Sequence, residues 1–358
     1  MEKVHDIHVH YLFDMLLEEK IEIFKDEFVM TGTEKYCFLS LPHETDNGKV
    51  TYDETQNING LYLKYTFSPN AYAFAGLIHP EMHDDVEGIA QSFLEQAKEY
   101  MSVGYDGVKM LEGYPSLIKA WDLPIDSPVY DKFYAYMEEN GYPILMHLGN
   151  PEENWDISKA SEYAIQAGRV YDNSYPTKEE ITSQMFRVME KYPKLKLILA
   201  HFGFMSYDIK EAEKFLQYPN TYFDITPGGE QLINMGKQWK DWLPFWEKYQ
   251  DKILYGTDYY AFPKNKSWEV AFQRRPKLIR EFLETEEEHE YLGESFIGVN
   301  LDEKLREKIY RKNFEKLLNT PKEIDCQYLI NEAKKLLQSE DKKSTYANED
   351  LKYLLRNM

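Results

Sequence analysis

The stretch that decides the fold lies close to the start of the chain and reads Val4-His5-Asp6-Ile7-His8-Val9-His10. It predicts a short β-strand. Side chains alternate between the two faces of a strand, so His8 and His10 are expected on the same face. Two imidazoles within ~7 Å of each other can hold one cation. An HxH pair also occurs for structural reasons, so its meaning depends on whether later strands end in further ligands.

Composition limits the classes of protein that this chain can represent. Its 358 residues are enough for one large α/β domain or two ordinary ones, and the hydrophobic content of 43% is sufficient for a full core. The formal net charge of -20 argues against nucleic acid or an anionic membrane surface as a partner, because both require a basic surface. The two cysteines, Cys37 and Cys326, form no CxxC motif, so a thiolate zinc site or redox motif is not expected.

The sequence also predicts where the protein resides. No apolar stretch approaches the ~18 residues of a membrane span. The N-terminus enters a strand directly, without a basic and then apolar leader, so no signal peptide is expected. A reducing cytoplasm is consistent with the cysteine content.

Short apolar runs and amphipathic segments alternate along most of the chain. Strands are predicted at residues 4–10, 34–41, 71–78, 107–111, 143–149, 195–201, 221–225 and 252–258. Helices are predicted at residues 11–30, 58–67, 86–103, 127–140, 177–191, 208–217 and 230–237, with further helical stretches up to 318 and with loops at 43–57 and 150–176. Eight strands alternating with helices over roughly 260 residues predict an α/β fold, the (β/α)8 TIM barrel. We assign the barrel to residues 1–320, and residues 321–358 to a helical C-terminal extension packed on the barrel or on a partner subunit.

Metal-ligating side chains stand at the ends of several predicted strands. Beyond His8 and His10, they are His147 on the fifth strand, His201 on the sixth and Asp258 on the eighth. The carboxyl ends of the strands of a barrel face one mouth, so these side chains are expected to converge there. Nitrogen and carboxylate ligands suit zinc, manganese or iron(II) better than calcium or magnesium. Three or four protein ligands with an open position would make a catalytic site, in which bound water has a pKa near ~7 and becomes a nucleophile.

The same segments carry a resemblance to a known family. They are Asp6-Ile7-His8-Val9-His10, Gly107-Val108-Lys109, Pro143-Ile144-Leu145-Met146-His147, Leu199-Ala200-His201-Phe202-Gly203, Leu254-Tyr255-Gly256-Thr257-Asp258 and Lys312-Asn313-Phe314-Glu315-Lys316-Leu317-Leu318. Together they resemble the amidohydrolase superfamily, and in particular its amidohydrolase-2 branch. That branch includes aminocarboxymuconate-semialdehyde decarboxylase, resorcylate-type decarboxylases, lactonases and hydratases.

The resemblance implies a set of roles for the strand-end residues. His8, His10, His147 and Asp258 would hold one divalent metal, preferably zinc, with manganese or iron as alternatives. His201 would lie beside the metal-bound water as general acid/base or orienter. Asp258 would also accept a proton from that water, which makes His201 and Asp258 the expected catalytic pair.

Four further residues are expected to bind substrate, namely Lys109, Glu112, Arg169 and Tyr259. Binuclear relatives carry a carboxylated lysine at the position of Lys109, but the branch resembled here generally works with one metal. A second metal bridged by Lys109 is therefore not expected, and structural pairing or substrate contact are the alternatives. Glu112 departs from the Leu-His that often follows this lysine in the family, and it is an extra ligand, a hydrogen-bond acceptor for substrate or a loop charge.

Three functions remain open from the sequence. The first is a metal-dependent hydrolase that cleaves a C–N or C–O bond of a small substrate with a metal-activated water. The second is a non-oxidative decarboxylase of a small carboxylic acid with the same metal ligands. The third is a catalytically inactive barrel that acts as a binding protein. The resemblance also implies a possible homodimer.

Overall fold

The predicted strands form one curved parallel sheet. In the computed structural model of the chain, the described residues are 1–11, 15–46, 49–80, 85–228, 231–261, 274–291, 293–339 and 345–358. In chain order, the strands are β1 (Val4–His10), β2 (Thr33–Leu39), β3 (His43–Asp46), β4 (Lys49–Tyr52), β5 (Ala71–Gly76), β6 (Gly107–Gly113), β7 (Pro143–Leu148), β8 (Lys196–Leu199), β9 (Thr221–Asp224), β10 (Ile253–Leu254), β11 (Tyr259–Tyr260), β12 (Glu288–Tyr291) and β13 (Glu294–Ile297). The main sheet has the order β10-β9-β8-β7-β6-β5-β2-β1-β11.

The sheet closes on itself through the segment 253–260. β10 pairs with β9 at one edge and β11 pairs with β1 at the other, although both belong to this one segment. Between them, Ile7 donates its N–H to the carbonyl of Tyr255 at 3.0 Å, and Asp258 donates its N–H to the carbonyl of His8 at 2.8 Å. The segment therefore takes the place of the eighth strand of the barrel. The predicted (β/α)8 TIM barrel is confirmed.

Helices cover the outside of the barrel. They are α1 (Leu17–Thr31), α2 (Thr55–Thr66), α3 (Val86–Val103), α4 (Pro115–Trp121), α5 (Asp131–Asn140), α6 (Glu162–Gln166), α7 (Lys178–Lys191), α8 (Ile209–Leu216), α9 (Gln231–Lys237), α10 (Trp239–Lys248), α11 (Arg275–Glu284), α12 (Glu303–Glu307), α13 (Asn313–Leu317), α14 (Cys326–Gln338) and α15 (Ala347–Asn357). Short 3-10 turns are at Pro128–Tyr130, Glu152–Trp155 and Ala200–Phe204, and a π-helical turn is at Lys308–Lys312. None of the helices in the described ranges is both long and apolar enough for a membrane span.

Several local signals act as predicted. α3 has the expected bounds and ends at Gly104, whose φ of 116° is open to glycine. The capping box predicted for α7 is present, because Thr177 accepts from the N–H of Glu180 and the Glu180 side chain accepts from the N–H of Thr177. Cys37 is fully buried in the barrel.

Several elements differ from the prediction. The expected loop 43–57 contains the β3–β4 hairpin and the first turn of α2. The long loop 150–176 carries α6, and α4 follows β6 directly with Pro115 in its first turn. The predicted helical stretch before residue 318 contains the β12–β13 hairpin, whose Glu288-His289-Glu290 lacks the β-branched residues that would mark a strand. The predicted helical segments include residues 12–14, 230 and 262–273. These residues lie outside the described part of the chain.

The last two helices pack on the same chain. Asp350 of α15 accepts the N–H of Leu17 at 2.8 Å, at the start of α1. Leu329 of α14 and Leu351 and Leu354 of α15 are fully buried in the main apolar core. Residues 321–358 thus contact the barrel, and their assignment as a separate extension remains a prediction.

Apolar side chains occupy the lower interior of the barrel and leave its carboxyl end to polar groups. The inner cluster contains Ile7, Leu39, Phe74, Leu145 and Leu254, and all five are fully buried. Along β1, Ile7 lies below His8 and His10, which reach the mouth. The apolar floor excludes water from below, so charges at the mouth act in a medium of low dielectric constant.

Candidate metal centre

Three side chains converge at the mouth on the axis of the barrel. His8 and His10 end β1, and their Nε2 atoms lie 3.0 Å apart. Asp258 follows β10, and its Oδ1 lies 3.5 Å from the Nε2 of His8 and 3.6 Å from the Nε2 of His10. All three side chains are buried. The sequence placed these residues together, and the structure brings them within metal-binding distance of each other.

The second nitrogen of each imidazole fixes which atom faces the centre. His8 donates Nδ1–H to Asp224 Oδ2 at 2.8 Å, and His10 donates Nδ1–H to the carbonyl of Leu39 at 3.0 Å. Since both partners only accept, the Nε2 of each neutral ring carries a lone pair. Two lone pairs and the Asp258 carboxylate therefore face one small volume. Three acceptors at these distances repel each other unless a cation lies between them, so the residues fit one divalent metal.

A left-handed backbone holds Asp258 in place. Its φ is 52°, and only Ile253–Leu254 of the predicted strand 252–258 form a regular strand. Arg275, buried at the start of α11, donates Nη1–H to the Asp258 carbonyl at 2.7 Å and also to its Oδ2. One carboxylate oxygen of Asp258 thus faces the histidines, and the other is held by a guanidinium.

His201 lies beside the centre on a second left-handed turn. His201, Phe202 and Gly203 have φ values of 54°, 56° and 58°. The N–H of His201 donates to Asp224 Oδ1 at 2.7 Å and to Thr226 Oγ1 at 3.0 Å. The Thr226 hydroxyl donates to Asp224 and accepts Nδ1–H from the His201 ring at 3.0 Å, which leaves the Nε2 of His201 as the free nitrogen. The ring centroid lies 5.2 Å from that of His8.

His147 lies next to His201. Its centroid is 5.2 Å from that of His201, and it is not among the three residues whose ligand atoms converge. The Nε2 of His147 is buried and has no hydrogen-bond partner within the described ranges. A buried nitrogen without a partner is costly, and a metal ligand accounts for it. His147 therefore stays the expected fourth ligand, although its ligand atoms lie outside the group formed by His8, His10 and Asp258.

Burial controls the charge of the groups around the centre. It lowers the pKa of His10, His147 and His201 well below the usual histidine range, so these rings are neutral at pH 7. Burial also lowers the pKa of Lys109 to about 8, although the carboxylates of Asp224, Asp258 and Glu112 attract its proton. Lys109 is thus a cation near these carboxylates at pH 7.

Arg169 and Tyr259, two of the other predicted substrate-binding residues, have different surroundings. Arg169 packs over the ring of Tyr114, 6.0 Å from its centroid, and that ring lies 5.2 Å from His147. Tyr259 is buried against Phe24 of α1, so its side chain faces the outer layer, and Tyr260 instead stacks on His10 at 5.1 Å.

Glu112 joins a different group. Its Oε1 lies 3.0 Å from the Nε2 of His79 and 3.8 Å from the Nε2 of His43.

Sequence reasoning missed Asp224 and Thr226. Asp224 ends β9, so the rule that selected the other strand-end ligands also applies to it. Thr226, two residues later, carries no comparable signal, because threonine at the end of a strand is common. The contact between Arg275 and Asp258 also has no local signature, since the two residues lie 17 positions apart in different elements.

Comparison with known proteins supports the same fold. The sequence profile of the amidohydrolase family matches residues 6–320. No curated protein matches the sequence. Solved structures that are similar include an uncharacterised TIM-barrel protein from Bordetella bronchiseptica, with 13% identity, a TM-score of 0.56, and coverage of 88% of this chain and 98% of that one.

Two further structures are similar at comparable levels. The 4-oxalomesaconate hydratase from Rhodopseudomonas palustris has 14% identity and a TM-score of 0.53, covering 94% of this chain and 100% of that one. A dihydroxybenzoic acid decarboxylase from Polaromonas with bound manganese has 16% identity and a TM-score of 0.51, covering 88% of this chain and 97% of that one. At these identities the likeness shows the fold alone. The family profile spans most of the chain, and the chain therefore belongs to the amidohydrolase family.

Proposed function

We propose that the protein is a metal-dependent enzyme whose centre holds one divalent metal on His8, His10, Asp258 and His147. The observation that carries this proposal is the convergence of two imidazole lone pairs and one carboxylate oxygen on a single buried volume. Zinc and manganese both suit this donor set. When bound, the metal would supply Lewis-acid stabilisation of negative charge on the substrate.

We further propose that the reaction is the non-oxidative decarboxylation of a small carboxylic acid. Both carboxylates beside the centre already accept hydrogen bonds from the protein. Asp258 accepts one from Arg275. Asp224 accepts hydrogen bonds from His8, His201 and Thr226. The Oδ2 of Asp258 is engaged by the Arg275 guanidinium and its Oδ1 faces the two histidines, so neither oxygen is placed to act as a general base. A hydrolase needs such a base to activate water, whereas a decarboxylase does not.

The chain supplies two other groups for this reaction. Lys109 is a cation near the centre and would attract the carboxylate of a substrate. The C–C bond to that carboxylate breaks, carbon dioxide leaves, and the electron pair stays on the carbon. The carbon must then gain one proton from solvent. The Nε2 of His201 carries a lone pair, because Thr226 holds Nδ1–H, so Nε2 would accept this proton and pass it to the carbon. The named activity of the similar Polaromonas decarboxylase is consistent with this reaction class.

Hydrolysis of a C–N or C–O bond is the second candidate. The link from His201 through Thr226 to Asp224 favours it, because this link orients an imidazole as a general base. In that case His201 alone would take the proton of the attacking water. Asp258 would serve only as a metal ligand.

Two substitutions test the metal centre. We expect His8→Ala and Asp258→Ala to bind one metal ion fewer per chain than the wild type and to lose turnover, measured by elemental analysis and by assay of the same preparations. His289→Ala is a matched control, because His289 contacts Thr285 Oγ1 just after α11 and lies outside the proposed centre. A metal content equal to that of the wild type together with full activity in both variants would reject the centre. A wild-type chain that takes up neither zinc nor manganese would favour the inactive binding barrel.

A substrate panel separates the two reactions. We expect carbon dioxide release from one or more aromatic or unsaturated carboxylic acids, and loss of that release in Lys109→Met. Turnover of lactones or amides without carbon dioxide release would replace the decarboxylase with the hydrolase. Both outcomes leave the metal centre in place, so the two proposals are tested separately.

A further inference from the structure

A second group of metal-ligating side chains lies at the same end of the barrel. It consists of His43, His79 and Glu112, which we call the second cluster. Their ligand atoms lie within 4.8 Å of each other, and all three residues are buried. The Oε1 of Glu112 is the shared partner, 3.0 Å from His79 Nε2 and 3.8 Å from His43 Nε2.

Three neighbouring strands of the barrel position the second cluster. His43 begins β3 just after β2, His79 follows β5, and Glu112 lies in β6. The barrel pairs β2 with β5 and β5 with β6, so these three ends are neighbours in space although they are far apart in sequence. A site built on adjacent strands of a closed sheet is rigid.

The second cluster packs against the outer helices. The ring of His79 stacks on Trp121 of α4 at 3.7 Å and contacts Phe93 of α3 at 5.0 Å, so it lies between the strands and the outer helices. His43 also packs edge-on against Trp121 at 4.8 Å. A lysine-bridged binuclear centre would instead lie on the side of Lys109 that faces His8 and His10. The second cluster is thus a different site from the one that the family pattern would suggest.

Hydrogen bonding within the cluster leaves buried polar atoms unmatched. Within the described ranges, His43 Nε2, His79 Nδ1 and Glu112 Oε2 have no hydrogen-bond partner and are shielded from solvent. An unmatched polar atom is costly when it is buried, because it has given up its hydrogen bonds to water without replacing them. The bond between His79 and Glu112 accounts for only one oxygen of the carboxylate. A cation among these groups would use both the His43 nitrogen and the second carboxylate oxygen.

We propose that the second cluster binds a divalent transition-metal ion through His43, His79 and Glu112. Two imidazoles and a carboxylate favour manganese, iron(II) or zinc over calcium or magnesium. The ion would tie the start of β3 to the ends of β5 and β6, with Trp121 covering it from outside. Its role is therefore structural, to fix the rim of the mouth where β2, β5 and β6 end.

Metal stoichiometry tests this proposal. The chain is stripped with chelator and dialysed to equilibrium against zinc or manganese ions alone, and bound metal is measured by elemental analysis. We expect two ions per wild-type chain, one in His8→Ala/His10→Ala, and none when Glu112→Gln is added to that double variant. Lys109→Met is expected to keep both ions, and a loss there would point to a lysine-bridged centre instead.

Thermal unfolding gives a second measurement that does not depend on a wild-type comparison. Added metal should raise the melting temperature of His8→Ala/His10→Ala but not of His8→Ala/His10→Ala/Glu112→Gln, because only a folded-state site stabilises by mass action. Glutamine is nearly the same size as glutamate, so the chain is expected to fold. A wild-type chain that saturates at one ion, with that ion lost in His8→Ala/His10→Ala, would overturn the second site. That result would leave the first centre intact.

Discussion

At the scale of single residues, Asp224 connects the two histidines with different roles. One oxygen accepts Nδ1–H of His8, and the other accepts the backbone N–H of His201. A carboxylate behind a ligating histidine fixes its tautomer and raises its basicity. Asp224 therefore fixes His8, the proposed metal ligand, and His201, the proposed proton-transfer group, relative to each other.

We expect Asp224→Asn to weaken metal binding by about 10–100-fold, the usual effect of removing such a carboxylate. The affinity is measured by competition with a chromogenic chelator. Thr226→Val is the control, because it removes the hydroxyl beside His201 and keeps the contact between His8 and Asp224. Equal affinities in Asp224→Asn and the wild type would show that Asp224 does not support the ligand.

Gly228 makes room for the His201 ring. A Cβ at Gly228 would lie 2.4 Å from His201 Nδ1, well inside van der Waals contact. We expect Gly228→Ala to displace the ring and lower turnover by roughly 100-fold, since a shift of about 1 Å has that effect. Metal content, measured on the same sample, should stay at the wild-type value. A parallel loss of metal would mean that the substitution disturbs more than His201.

At the scale of elements, the features that sequence could predict are those with a local cause. The capping box of α7 and the strand-end histidines follow from residue type and spacing. The left-handed turn at His201 does not, because histidine and phenylalanine avoid positive φ unless the surroundings impose it. Asp224 and Thr226 impose it from β9 by holding the His201 N–H. Such a turn is visible only when the neighbouring strand is in place.

The C-terminal helix α15 tests whether the extension stabilises the barrel. Leu351 is fully buried in the main core, whereas Lys352 beside it is exposed. We expect Leu351→Ala to lower the free energy of unfolding by about 2–5 kcal/mol, measured by urea denaturation. Lys352→Ala should change it by less than about 0.5 kcal/mol. Similar small effects in both variants would mean that α15 is not integrated into the fold.

At the scale of the whole molecule, the eight-strand barrel was predictable because alternation of strands and helices has few solutions. The hairpins β3–β4 and β12–β13 were not, since they lie outside that alternation. For the same reason the second cluster could not be predicted, because His43 and His79 stand on segments that the sequence pattern treats as loops.

Buried histidines make the stability of the whole fold depend on pH. His5 is enclosed near Phe314, and burial lowers its pKa from 6.5 to about 4. Between these values the unfolded chain binds a proton and the folded chain does not, so stability falls as the pH drops from 6.5 to 4. We expect His5→Gln to remove about 2–3 kcal/mol of this fall at pH 4.5, measured by urea unfolding at pH 7 and 4.5. A parallel pH dependence in wild type and His5→Gln would contradict the assignment.

Closure of the barrel by residues 253–260 has a consequence for synthesis of the chain. The hydrogen-bond partners Asp6 and Thr257 are 251 positions apart. During synthesis β1 therefore has only one neighbouring strand until residues 253–260 have left the ribosome. At 5–20 residues per second that interval lasts about 13–50 s. During this time a fully buried strand of the finished protein presents an open edge, which is a template for pairing with other chains. Nascent chains arrested before residue 253 should therefore aggregate or bind chaperones, whereas chains arrested well beyond residue 260 should not.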